Sequence, residues 1–466
     1  LLFTDWKVLL SVLLAWVIYY LPVMRGQQQR LLVVLSVTIY AFEAPTGVAL
    51  LLCLASLNAW ISYRVADFEI LEKRRRWAVF GVVLNLFILG FFKYNRMLFE
   101  LLGHELAADG DVVRAILLLP LPIGISFYTF HGISLLVDTL RADQTQPPPL
   151  ARHFRDTLLY LCFFPQLVAG PITKAHYFYP QIGPKTLDQI DWPQVVRLLV
   201  VGYFLKLVVA NNLASHTFLI QYPYFLGLSR NELVVLLFGY SMQIFADFAG
   251  YSLIAIGLAA LFGYRLTSNF NFPYIASSFS EFWTRWHISL SAWLREYLYF
   301  PLGGNRKGKA RTCFNLLIVM GLGGLWHGAT ISYAVWGLWH GLALVLERLV
   351  LGAIPWKPSG ALSSVARGVL VFLVVTIGWL MFKLPEFTHV RAYLKAIADS
   401  SWQPGLSNAS RAVLLLSVPV VAYHIHYLLR QRCVSLAWLQ QPALAAMVFL
   451  IVFNAGPNAA FIYFQF

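Results

Sequence analysis

Charged residues are scarce in this chain. Only 12% of its 466 residues are Asp, Glu, Lys or Arg, 59% are hydrophobic, and mean hydropathy is +0.67. An ordinary soluble domain is about a quarter charged and roughly half apolar, so a water-soluble globule, a disordered chain and a fibrous repeat are all excluded. Lipid must be the solvent for most of it. Acids are the scarcer sign, 21 against 35 Lys and Arg, which leaves a net charge of +14. A nucleic-acid binder would gather that excess on one folded face. Here it falls in short stretches between apolar runs, as cytoplasmic loops require, so no nucleic-acid partner is expected. Cysteine is nearly absent: Cys53, Cys162, Cys313 and Cys433 form no Cys-x-x-Cys pair and suggest neither a disulfide framework nor a zinc site. Also missing are a His-Glu-x-x-His helix, a Gly-x-Ser-x-Gly elbow and a Walker loop. Hydrolase, metalloprotease and ATP-driven readings lose their usual support, and no metal is expected.

What is present is a series of apolar runs. A helix crossing a hydrocarbon core of about 30 Å needs about 20 apolar residues. Candidate spans lie near 8–24, 31–42, 47–63, 77–92, 115–140, 157–170, 196–220, 232–262, 313–350, 366–383, 412–430 and 441–460. The first follows Lys7 as a signal-peptide core would, but it lacks a small-residue cleavage pattern and reads as a span. Pro120 and Pro122 interrupt another, and broken helices are tolerated where the freed backbone is buried or lines a cavity. The expected fold is therefore an all-α, multi-pass membrane bundle of roughly 10–13 spans. The run Lys73, Arg74, Arg75, Arg76 and the segment Arg295 to Arg311 ask for the cytoplasmic side. No repeat period, low-complexity tract or long linker divides the chain, so residues 1–466 read as a single membrane domain.

One segment is rich in both rings and ionisable groups. Between Tyr264 and Gly341 lie Phe282, Trp283, Trp286, Trp293, Tyr297, Tyr299, Trp326, Trp336 and Trp339, with Arg285, His287, Arg295 and Glu296 among them. It belongs either inside the bundle beside a watery cavity or on an amphipathic helix at the membrane surface. His327 is the sharper feature, set in Gly321-Leu322-Gly323-Gly324-Leu325-Trp326-His327-Gly328. An imidazole at membrane depth is either a functional group or a hydrogen-bonded core bridge between helices. His340, in Trp339-His340-Gly341, repeats the Trp-His-Gly pattern after 13 residues.

At these residues the chain resembles a known family. Glu281-Phe282-Trp283-Thr284-Arg285-Trp286-His287-Ile288-Ser289-Leu290-Ser291-Ala292-Trp293-Leu294-Arg295, continuing to Pro301-Leu302-Gly303-Gly304-Asn305-Arg306, is similar to the membrane-bound O-acyltransferase (MBOAT) family, in its bacterial alginate-O-acetylation branch. Gly323-Gly324-Leu325-Trp326-His327-Gly328 resembles that family's active-site histidine motif. Further matches are Pro122-Ile123-Gly124-Ile125-Ser126-Phe127-Tyr128-Thr129-Phe130, Ala169-Gly170-Pro171-Ile172, Asp247-Phe248-Ala249-Gly250-Tyr251-Ser252 and Asn269-Phe270-Asn271-Phe272-Pro273-Tyr274, giving a motif core of about 120–341. Leu253, His131, Asn211 and Asn212 depart from the pattern, and no role is carried to them.

The resemblance implies a bundle with broken or re-entrant helices around a central tunnel. His327 would be catalytic, with His287 as the second polar residue of the site. His340 and Asn305 would be secondary motif positions. Trp326, Gly328 and Arg285 are candidates for steadying the developing oxyanion. It also implies transfer of acetyl groups from a cytoplasmic donor, acetyl-CoA, toward an exported polysaccharide such as alginate or cellulose. The setting would be a bacterial inner membrane, with a periplasmic SGNH-type acetyltransferase or other acetylation subunits as partners beside the membrane lipids. The rival readings are D-alanylation of teichoic acid, acylation of a lipid, and a polysaccharide or lipid transporter without chemistry.

Overall fold

The computed structural model describes residues 3–101, 119–142, 147–353, 360–431, 437–457, 459 and 461. Cys433, positions 115–118 of one expected span and positions 458 and 460 of another lie outside the described residues. Among the described residues the chain is helical, and its one strand-like feature is an isolated antiparallel bridge between Phe270 and Trp286. Two compact units emerge, Leu1–Val196 with Ile254–Thr267, and Arg197–Leu253 with Ser268–Phe466.

The first unit is built on α1 (Trp6–Tyr19), α2 (Gln28–Glu43), α3 (Val48–Asp67), α4 (Leu71–Leu101), α5 (Ile125–Arg141) and α6 (Leu150–Cys162). Helices α3, α4 and α5 close on a core of Ile61, Val65, Ala78 and Leu136. Asn58 and Asn85 exchange side-chain amide hydrogen bonds of 3.2 and 2.8 Å there, each satisfying the other away from water. Of the four consecutive cations, Arg74 is buried. Its guanidinium donates to the carbonyls of Val65 (3.0 Å), Thr139 (2.9 Å) and Ala142 (2.9 Å), the orphan acceptors at the C-terminal ends of α3 and α5. In the span expected at 115–140, the described residues 119–124 are not helical and a helix begins at Ile125, after Gly124 turns the backbone to φ +77°. A side chain at 124 would also meet the Leu167 carbonyl oxygen at 2.7 Å, so both the turn and the close approach demand glycine.

The second unit begins within α7 (Trp192–Tyr203), which runs on through a π-helical stretch, Phe204–Ala210, into α8 (Asn211–Thr217). There follow α9 (Arg230–Leu261), of which residues up to Leu253 belong here, then α10 (Phe279–Arg285), α11 (Ile288–Leu294), α12 (Gly308–His327), α13 (Ile331–Ala353), α14 (Ala361–Lys383), α15 (Phe387–Asp399), α16 (Asn408–Gln431) and α17 (Gln440–Phe453). The π-helical stretch carries Lys206, whose ammonium lies buried 2.5 Å from the Asp247 carboxylate of α9 and 3.3 Å from the Ala459 carbonyl.

Among the described residues, six helical segments are long and apolar enough to cross a membrane: Pro45–Asp67, Leu71–Asn95, Trp192–Ile220, Arg230–Leu261, Leu362–Lys383 and Asn408–Arg430. The runs expected at 8–24 and 441–460 fold instead as 14-residue apolar helices, α1 and α17. The run at 313–350 is not one span. Gly328 is fully extended after His327, so the chain breaks into α12 and α13, and α13 takes its first bonds on the Thr330 carbonyl.

Candidate active site

Glycine sets how α12 and α13 meet. A Cβ on Gly324 would lie 2.3 Å from the Tyr333 carbonyl oxygen and 2.9 Å from the Gly337 Cα. On Gly337 it would lie 2.2 Å from the Met320 carbonyl oxygen. Backbones therefore pack against each other directly, the close small-residue contact favoured between membrane helices. Gly337→Ala is expected to force the seam apart and lower stability by about 1–3 kcal/mol. Thermal unfolding of the purified protein in detergent checks this, and an unchanged midpoint would refute the seam.

The seam delivers His327 to the end of α12, where it is buried. Its imidazole is walled by rings: Trp326 at 4.8 Å between centroids, Trp336 of α13 at 5.1 Å and Phe382 of α14 at 5.2 Å, all near edge-to-face. A side chain at position 328 would sit 2.2 Å from the Tyr333 ring, so the glycine after His327 admits that ring.

His287 reaches the same place from α10 and α11. With Trp286 it forms the two-residue joint between those helices, and it is buried, with its backbone in the left-handed region at φ +44°. The Phe248 ring of α9 meets it edge-on at 4.7 Å. Its centroid lies 6.5 Å from that of His327 and 6.2 Å from that of Trp326. Helix α10 is held by its own caps: Ser278 Oγ accepts from the Glu281 N–H (3.0 Å), and Glu347 of α13 accepts from the Phe279 and Ser280 N–H groups at 2.5 and 3.2 Å.

Arg285 stands two residues before His287, but its guanidinium is engaged elsewhere. It bonds Glu281 at 2.9 Å and the Asn271 carbonyl at 3.0 Å, and lies 5.6 Å from the Tyr427 ring centroid. Partial burial pushes the Glu281 carboxyl up, but donors from the Ser277 N–H and Arg285 outweigh it and hold the carboxyl below its usual range. The pair thus ties the end of α10 to the 269–274 loop.

Four of the residues singled out from sequence therefore come together: His327, His287, Trp326 and Gly328. His340 lies one ring further back, 4.9 Å from Trp336 and 5.1 Å from Trp283, fully buried, with no hydrogen-bond partner for either ring nitrogen among the described residues. Asn305 is exposed in the turn before α12, whose carbonyls at Leu302 and Gly304 are bonded by Asn315 at 3.4 and 2.9 Å. Sequence reasoning gave no role to Phe382, Phe248, Asn269 or the Lys206–Asp247 pair. The pair had a signal, a lone cation and a lone acid inside apolar runs, which in lipid call for each other. Phe248 and Asn269 stood in matched motifs without an assigned role, and Phe382 had no signal, because rings and amides become site residues only through packing.

The family model described as MBOAT, membrane-bound O-acyltransferase family, matches residues 77–384. The chain is 37% identical over 415 residues to the probable alginate O-acetylase AlgI of Pseudomonas syringae pv. tomato, covering 87% of this chain and 77% of the relative. To the protein of that name from Pseudomonas aeruginosa it is 36% identical over 415 residues, 87% and 76% of the two chains. A peptidoglycan O-acetyltransferase of Helicobacter pylori is 32% identical over 389 residues, 78% of this chain and 73% of that one.

Proposed function

The chain belongs to the membrane-bound O-acyltransferase family and is a multi-pass helical acyltransferase, and we propose that it moves acetyl groups from cytoplasmic acetyl-CoA across a bacterial inner membrane for O-acetylation of an exported polysaccharide. Relatives named for alginate and for peptidoglycan share acetyl transfer to a glycan, which supports this acceptor class. A periplasmic acetyltransferase of the SGNH type completes delivery to the polymer. The whole chain acts as one membrane-embedded enzyme, with His327 at the reacting centre.

The observation that carries the reading is the pair of buried imidazoles, His327 and His287, 6.5 Å apart in a wall of aromatic rings. One atom hydrogen-bonded to a nitrogen of each ring permits centroids up to about 8 Å apart, so the spacing leaves room for one small reacting group between the two rings. The reacting bond is a thioester. As the acceptor hydroxyl attacks its carbonyl carbon, His327 takes the hydroxyl proton, the carbon–oxygen bond forms, and the carbon–sulfur bond breaks. The same proton then returns to the leaving thiolate. A neutral imidazole is the form that accepts the proton, and an apolar surround disfavours the charged form. His287, the Trp326 indole and the Gly328 N–H supply candidate donors to the oxyanion, with Arg285 ordering the loop behind them. His340 and Asn305 stay outside the reacting pair.

The reading is tested by supplying acetyl-labelled acetyl-CoA to one side of proteoliposomes holding the full chain, with glycan oligomers and a periplasmic SGNH-type acetyltransferase on the other. Label on the glycan, with free CoA released, is expected. Label recovered in the lipid fraction would move the acceptor to a lipid, and no loss of thioester would overturn the donor.

A further inference from the structure

Two residues other than glycine have positive φ among the described residues, His287 at +44° and Phe272 at +49°. Both border the one bridge in the second unit, Phe270 to Trp286. A left-handed backbone is unfavourable for either side chain and persists only where the surroundings over-determine it. Those surroundings converge on Asn269. It is buried, and three of its polar groups are used around position 287. Its backbone carbonyl accepts from the Ile288 N–H (3.0 Å), its Oδ1 accepts from the Ser289 hydroxyl (2.6 Å), and its Nδ2 donates to the Ser252 hydroxyl of α9 (3.0 Å). On the other side of the bridge, the Asn271 N–H donates to the Arg285 carbonyl (2.9 Å). The chain is therefore pinned at 285, 288 and 289, and His287 is what lies between the pins. Helix α9, to which Asn269 anchors this turn, also carries Phe248, the ring lying edge-on to His287.

We propose that Asn269 is a positioning residue. It holds His287 in its left-handed conformation and so aims the imidazole at the His327 side of the cage, using Ser252 and Ser289 as fixed points. This rests on the reading of His287 as a participant in acyl transfer. Asn269 touches no reacting atom itself. An amide that merely filled a polar gap in the core would have no reason to bond both of the two residues that follow the strained one.

The test is a double-mutant cycle on the full chain in membrane vesicles, reading transfer of label from acetyl-CoA at several donor concentrations. Asn269→Ala should lower kcat by about 10- to 100-fold, the effect of slightly misplacing a catalytic group, with KM within about twofold of wild type. Ser289→Ala, which removes one hydrogen bond, should lower kcat by less than about tenfold. In a His287→Ala background, Asn269→Ala should cause no further loss. If it multiplies the loss by the same factor as in wild type, Asn269 acts independently of His287 and the proposal fails, while the role of His287 stands. If His287→Ala alone runs at the wild-type rate, the reading of His287 fails and the proposal falls with it. Should Asn269→Ala not accumulate as folded protein, Ser289→Ala and Ser252→Ala carry the same cycle, with the same two outcomes.

Discussion

His327→Ala is expected to reduce acetyl transfer by about 10²- to 10⁴-fold, the range for removal of a positioned general base. The fold should survive it. His327 is the last residue of α12, so its side chain can be shortened without breaking a helical hydrogen bond, and Gly328 continues the chain in an extended conformation. The wall of Trp326, Trp336 and Phe382 would close partly over the gap. Two measurements in cells expressing the variant separate chemistry from transport. The amount of exported polymer should be unchanged and its acetyl content should fall to background. Were export itself lost while retained polymer still carried acetyl groups, the chain would be a transporter. Were acetylation undiminished with the variant present in the membrane at normal levels, the histidine would have no part in the reaction.

Asp247→Leu should be the most destabilising single change. It leaves the Lys206 ammonium buried in the second unit, where its remaining described contacts are the Ala459 carbonyl at 3.3 Å and the face of Phe461. Removing one partner of such a pair costs about 3–5 kcal/mol, far more than the intact pair contributes over an apolar substitute. Combining Lys206→Met with Asp247→Leu should therefore recover most of the loss. Unfolding midpoints and membrane yield of the two single variants and the double variant read this out. A double variant no better than either single would show that the pair is not the unit that matters. Activity should track stability here, because Asp247 precedes Phe248, the ring packed on His287.

The helical, membrane-spanning character was plain in the sequence because a few percent of charge either way changes the solvent a chain can tolerate. Where helices break was less plain. Hydropathy runs smoothly through 313–350, and the interruption at Gly328 arises from packing of Tyr333, which no local average registers. His327 stood out because a polar ring amid glycines and leucines has few inert explanations. Asn269 opened a matched motif but its role was not legible, since its partners lie 17 and 20 residues away and only the fold brings them to it. Arg74 shows a subtler limit. Read as one of four charges marking a membrane face, it also closes the ends of two helices, a duty that composition does not separate from the first.

The backbone at position 287 has a practical consequence. Any side chain there meets the same steric objection, and only glycine escapes it. Anyone optimising this protein for heat resistance would find His287→Gly among the tempting changes, because it relieves that backbone, although it also removes the buried ring that meets Phe248 edge-on. Relaxed backbone and lost packing would then oppose each other within one codon, and a screen scored on melting alone would be blind to the turnover that went with them.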